Sequence, residues 1–142
     1  RYSRVTGVQT CALPIWNDDW RLVWSDEFNT EGRLSPSVWN YEQGYVRNEE
    51  AQWYQPDNAV CKGGFLVIEA RKERNRQNPL YIPGSNDWRK EREFIEYTSS
   101  SVTTAGKKEF LYGRFEVRAR IPVAKGAWPA IWTLGSNMEW PS

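Results

Sequence analysis

Between residues 111 and 121 the chain alternates with a period of two. Leu111, Phe115, Val117, Ala119 and Ile121 are apolar on one parity, and Tyr112, Arg114, Glu116, Arg118 and Arg120 are polar or charged on the other. That pattern predicts a β-strand with one face in a core and one toward water or a ligand, because a helix would scatter both sets around its axis. The next segment, AWPAIWTLG at residues 127–135, carries Trp128 and Trp132 four apart. If it is also extended, the two indoles share a face. A sheet face bearing Arg, Glu, Tyr and Trp suggests a floor for sugar rings.

Composition narrows the chemistry. The 142 residues are enough for one domain with a real core, although all-β sandwiches often run to ~200–250 residues as single domains. Nine Trp and seven Tyr are many for this length, while the net charge is +1. No basic surplus points to nucleic acid, and no apolar run is long enough to span a membrane. There is no His, which excludes Ser-His-Asp and Cys-His catalysis and removes the commonest zinc ligand. Carboxylates remain as the acid/base chemistry.

Along the chain, residues 1–15 differ in character from the remainder. VTGVQTCALPI at residues 5–15 looks like a translated sequencing-adapter read and is set aside from fold reasoning. Cys11 falls in it, which leaves Cys61 as a lone, buried thiol. Residues 20–24 are a strand candidate, residues 25–29 a turn, and residues 34–39 a loop or short helical turn. Residues 50–54 are aromatic and lead into a QPDN turn at 55–58. A glycine pair, Gly63-Gly64, precedes a strong strand through residue 70. Residues 71–96 read as a long polar loop, residues 97–104 regain strand character, and GKK at 106–108 turns into the alternating strand. Short strands, glycine turns and no amphipathic helix predict an all-β sandwich.

Several acidic groups invite attention. Asp26 and Glu27 are adjacent and would face opposite ways in a strand, so turn hydrogen bonding suits them better. Glu49 and Glu50 share that geometry. Glu91, Glu93 and Glu96 lie among Arg89, Lys90 and Arg92, the pattern of a solvated face. Glu116 differs, because Arg114 and Arg118 flank it on the polar parity and favour its ionised form, suited to sugar hydroxyls more than to general-acid work. An exposed charge ladder accounts for its spacing equally well. Core packing likewise accounts for Trp128 and Trp132 taken alone.

Read together, six segments resemble glycoside hydrolase family 16, the β-glucanases and laminarinases: LVWSDEFN (22–29), NEEAQWY (48–54), GFLVIEA (64–70), YTSSSVTT (97–104), YGRFEVRA (112–119) and GAWPAIW (126–132). They occur in the family's order and cover nearly everything after Trp20. The resemblance implies a concanavalin A-like β-jelly-roll of two curved antiparallel sheets whose concave face binds a β-glucan chain. It matches Asn48, Glu116, Arg118, Trp128 and Trp132 to cleft positions, with the indoles stacking on pyranose rings. Ser101 stands where many laminarinases carry an Arg.

The family's catalytic signature, Glu-x-Asp-x-x-Glu, normally comes after the WPAIW segment and is not found in this sequence. We therefore expect residues 16–142 to be the N-terminal part of such a catalytic domain, incomplete at its C-terminus, with the catalytic acids beyond Ser142. The expected whole is a secreted or periplasmic, monomeric retaining endo-β-glucanase acting on β-1,3- or mixed-linkage glucan. It would need no cofactor, although the family often binds a structural calcium. A non-catalytic, lectin-like glucan-binding jelly-roll is the competing class.

Overall fold

The computed structural model describes residues 8–9 and 20–137. Among the described residues, nine strands and one 3-10 turn are arranged in order: β1 (Val8–Gln9), β2 (Asn40–Tyr41), β3 (Gln52–Tyr54), η1 (Pro56–Asn58), β4 (Ala59–Cys61), β5 (Leu66–Ile68), β6 (Arg71–Gln77), β7 (Phe94–Ser99), β8 (Val102–Thr103) and β9 (Arg118–Ala119). They form a four-stranded sheet β4-β5-β1-β9, a pair β2-β8, and a three-stranded sheet β3-β7-β6. The all-β class is as the turn-rich sequence predicts. Pairing is antiparallel except between β3 and β7, which run parallel with Gln52 opposite Tyr97 and Tyr54 opposite Ser99.

The glycine pair makes the turn expected of it. Gly63 and Gly64 have φ of 59° and 74°, and Lys62 and Phe65 exchange backbone hydrogen bonds at 2.9 and 3.2 Å across them. Two residues with positive φ match the right-handed twist of a hairpin, so β4 and β5 pair with Cys61 opposite Leu66. That register turns Ala59, Cys61 and Leu66 inward, where they join Phe28 and Leu34. Trp39, Tyr41, Ile68 and Val102 pack around this cluster. Asp26 is structural, as its turn position predicts: Oδ1 accepts from Phe28 N at 2.9 Å and Oδ2 from Trp39 Nε1 at 2.7 Å. This fixes Phe28, at φ 51°, over the core.

A second buried site is polar. Asn58, 1% exposed, donates to Glu69 O at 2.7 Å and to Thr98 Oγ1 at 3.1 Å, and accepts from Gln55 Nε2 at 2.7 Å. Thr98, fully buried, donates to Glu73 Oε1 at 2.6 Å. Beside it Ile95 is 1% exposed.

Four expectations are corrected. Residues 20–24 form no strand and are mostly exposed; without a paired neighbour their apolar residues have no sheet to join. The supposed loop at 71–96 contains β6 and the start of β7, paired from Arg71 opposite Thr98 to Gln77 opposite Phe94. Charged side chains masked that edge strand, and a register shift between Lys72 and Arg76, with Asn75 at φ 55°, breaks its alternation. The long alternating strand is reduced to β9, and both of its parities face outward: Leu111 is 85% exposed, Phe115 58% and Ile121 57%. Alternation states which side a strand would bury, but burial also needs a partner and a covering layer. The WPAIW segment is likewise not a strand, so Trp128 and Trp132 share no sheet face.

The adapter reading of residues 1–15, and with it Cys11, lies outside the described residues apart from Val8–Gln9. Those two pair with β5 and β9.

The buried polar hub and the buried thiol can each be probed. Asn58→Ala removes the buried amide that bonds to Glu69 O, Thr98 Oγ1 and Gln55 Nε2, so urea unfolding should show a loss of about 1–3 kcal/mol. Thr98→Val, which keeps shape, should cost less. Cys61 is 3% exposed and free, and burial pushes its thiol pKa up. Iodoacetamide should label it at the rate of unfolding, rising steeply with urea.

Candidate functional site

The stretch that precedes β3 gathers the polar groups. Gly44 pairs with Tyr54 through two backbone bonds of 2.9 Å, folding residues 44–54 back on themselves. Gln52 and Tyr54 then share a side of β3 by its period of two, and both reach Glu50. Glu50 Oε2 accepts from Gln52 Nε2 and from the Tyr54 hydroxyl, each at 2.9 Å, and Gln52 Nε2 also donates to the Tyr54 oxygen at 2.7 Å. Burial pushes the Tyr54 hydroxyl above its ordinary pKa, which keeps it a donor.

Arg47 is the hub. Its side chain, 11% exposed, pairs with Glu42, whose other oxygen accepts from Ser101 Oγ at 2.5 Å. The guanidinium lies 5.9 Å from the Tyr54 ring centroid and 5.7 Å from that of Trp132, a favourable stacking geometry for a cation on an indole. Ser101, the position that departs from many laminarinases, therefore orients the carboxylate that holds Arg47.

The five residues expected in a cleft are placed unequally. Asn48 is exposed at the tip of the turn after Arg47, and Trp132, 51% exposed, stacks on Arg47 itself. Arg47 thus connects these two. Trp128 is 92% exposed, so neither indole is a core residue. Glu116 pairs with Arg114 at 2.7 Å, and Arg118 is exposed in β9 opposite Gln9.

Sequence reading missed Glu42, Arg47, Gln52 and Tyr54. The signal for the last two was present, since they sit two apart in NEEAQWY. Arg47 offered only its place beside Asn48.

The carboxylates of the cluster face inward to its own members. Its two carboxylates are committed, Glu42 to Arg47 and Ser101 and Glu50 to Gln52 and Tyr54. Fixed acceptors beside an exposed indole suit hydrogen bonding and stacking more than proton transfer. Among the described residues no group of three or more Cys, Asp or Glu is placed to share a metal ion. No helix of the described residues is long and apolar enough to cross a membrane.

The Rhodothermus marinus beta-glucanase is 41% identical over 128 residues, which is 87% of this chain and 39% of that relative. A structure from work on endo-acting O-glycanases of the human gut microbiota, which initiate mucin breakdown, is 39% identical with a TM-score of 0.57, covering 71% of this chain and 36% of that one. The catalytic domain of the Thermotoga petrophila RKU-1 endo-1,3-beta-glucanase (laminarinase) is 38% identical with a TM-score of 0.50, covering 67% and 35%. The chain thus spans well under half the length of each. Residues 9–141 match the model described as beta-glucan synthesis-associated protein SKN1/KRE6/Sbg1. The chain belongs to that family, and its sequence and jelly-roll fold are those of the laminarinase-like members of glycoside hydrolase family 16.

Proposed function

We propose that this chain is the glucan-binding part of a retaining endo-β-glucanase acting on β-1,3- or mixed-linkage glucan, secreted or periplasmic in the whole protein. The observation that carries the reading is the half-exposed Trp132 indole stacked on a guanidinium that Glu42 and Ser101 hold in place. An indole fixed from behind offers its outer face to a pyranose ring. Asn48, next to Arg47 in the chain, supplies an amide for sugar hydroxyls, and Glu116, Arg118 and Trp128 would extend the cleft. The names of the similar proteins, a beta-glucanase and a laminarinase, support the substrate class. Retaining chemistry would need two carboxyls ~5–5.5 Å apart and free to react, whereas Glu42 and Glu50 are both taken up by hydrogen bonds within the cluster.

A second reading has its own support. The matching family is described by glucan synthesis and not by hydrolysis, which suits a glucan-binding jelly-roll without turnover.

Two measurements test these readings. The 142-residue chain should release no reducing sugar from laminarin; turnover abolished by Glu116→Gln would overturn the placement of the catalytic acids outside the described cluster. Trp132→Ala should weaken laminari-oligosaccharide binding by about 1 kcal/mol, the lower end for an aromatic platform, with little change in Tm. A large drop in Tm with unchanged affinity would instead make the indole a packing residue.

A further inference from the structure

Residues 47–50 form a tight turn, closed by Glu50 N donating to Arg47 O at 3.1 Å. Its central residues, Asn48 and Glu49, have φ of 55° and 52°. Positive φ at both positions is the type I′ pattern. Asn adopts that conformation readily, whereas Glu49 stands where glycine is the ordinary choice and is strained there. The Asn48 side-chain amide at the tip makes no hydrogen bond among the described residues.

Two arginines reach this turn from the polar segment between β6 and β7. Arg92 Nη1 donates to Glu50 O at 3.1 Å and Nη2 to Glu49 O at 3.2 Å. One guanidinium thus holds two consecutive carbonyls. An extended chain cannot present them so, because its carbonyls alternate, but a left-handed Glu49 can. Arg92 also lies over the Tyr45 ring, 5.4 Å from its centroid. Arg89 Nη2 donates to Val46 O at 3.3 Å, and its guanidinium stacks on Trp88, which packs against Tyr45. The segment is itself anchored. Asn78, 5% exposed, donates through Nδ2 to Arg89 O at 3.0 Å and to Arg92 O at 2.9 Å. Asp87 accepts from Arg89 N at 3.0 Å.

We propose that Arg92 is a positioning residue for glucan binding: its two-carbonyl clamp holds the 47–50 turn in the left-handed form that presents Asn48 to the sugar chain. Arg89 supports the clamp from Val46. The inference rests on the glucan reading above and on Asn48 touching substrate. It gives the charge-rich segment a task that a solvated face lacks.

The test is a double-mutant cycle in the full chain, read by calorimetric affinity for laminarihexaose and by hydrogen exchange of the Glu50 amide. Arg92→Ala should weaken binding about as much as Asn48→Ala, on the order of tenfold. The double variant should bind no worse than Asn48→Ala alone, because both losses pass through one side chain. Glu50 exchange should accelerate in Arg92→Ala. Arg92→Lys keeps the charge without the fork and should not restore affinity. Additive losses, full rescue by Lys, or unchanged exchange at Glu50 overturn the clamp while leaving the glucan reading standing. Absence of laminarihexaose binding by the parent chain, or unchanged affinity in Asn48→Ala, sinks the cleft reading and the proposal with it.

Discussion

Everything in this fold depends on one buried hydrogen-bonded side chain. Asn58, 1% exposed, ends the turn before β4 and bonds to Thr98 near the end of β7. A buried amide left unsatisfied is costly, so its three bonds select one relative placement of the β4–β5 hairpin and the β6–β7 ladder. Apolar packing around Phe28, Cys61 and Leu66 supplies attraction on the hairpin's inner face but tolerates sliding. The Asn58–Thr98–Glu73 chain does not. The apolar cluster and the polar hub therefore divide the labour, one driving collapse and the other fixing register.

Local turn chemistry was the legible part of the fold. Gly63-Gly64, the QPDN turn at 55–58 and the Asp26 turn each state a backbone conformation within a few residues, and each formed as read. Alternation was less informative where no partner strand existed. The row from Leu111 to Ile121 has strand periodicity, yet only Arg118–Ala119 is paired. The opposite error came at Arg71–Gln77, whose charged sequence hides a strand, since an edge strand bonds through its backbone whatever its side chains are.

The candidate site divides similarly. Asn48 and Trp132 lie in short motifs, and the structure places both beside Arg47. Arg47, Glu42 and Ser101 act through a relay that spans 59 positions of sequence between Ser101 and Glu42, and spacing carries no record of such a contact. Arg92 was hidden more thoroughly. A run of mixed charges reads as solvated, and its bonds to two carbonyls belong to the backbone of another loop. The hint lay in Trp88, an indole out of place on a purely hydrated face, which packs on Tyr45.

The parallel union of β3 and β7 has a consequence for how the chain is made. Parallel neighbours cannot be joined by a hairpin and require a long crossover, and here η1, β4, β5 and β6 all intervene before β7. During synthesis β3 emerges with no sheet to join, and the Arg92 contacts to its entry loop, 42 and 43 positions away in sequence, are not yet available. The β4–β5 hairpin, closed by its own glycines, can form first. The 47–50 loop is thus among the late elements to be ordered, assembled only after the non-local closure that sets the pace of folding.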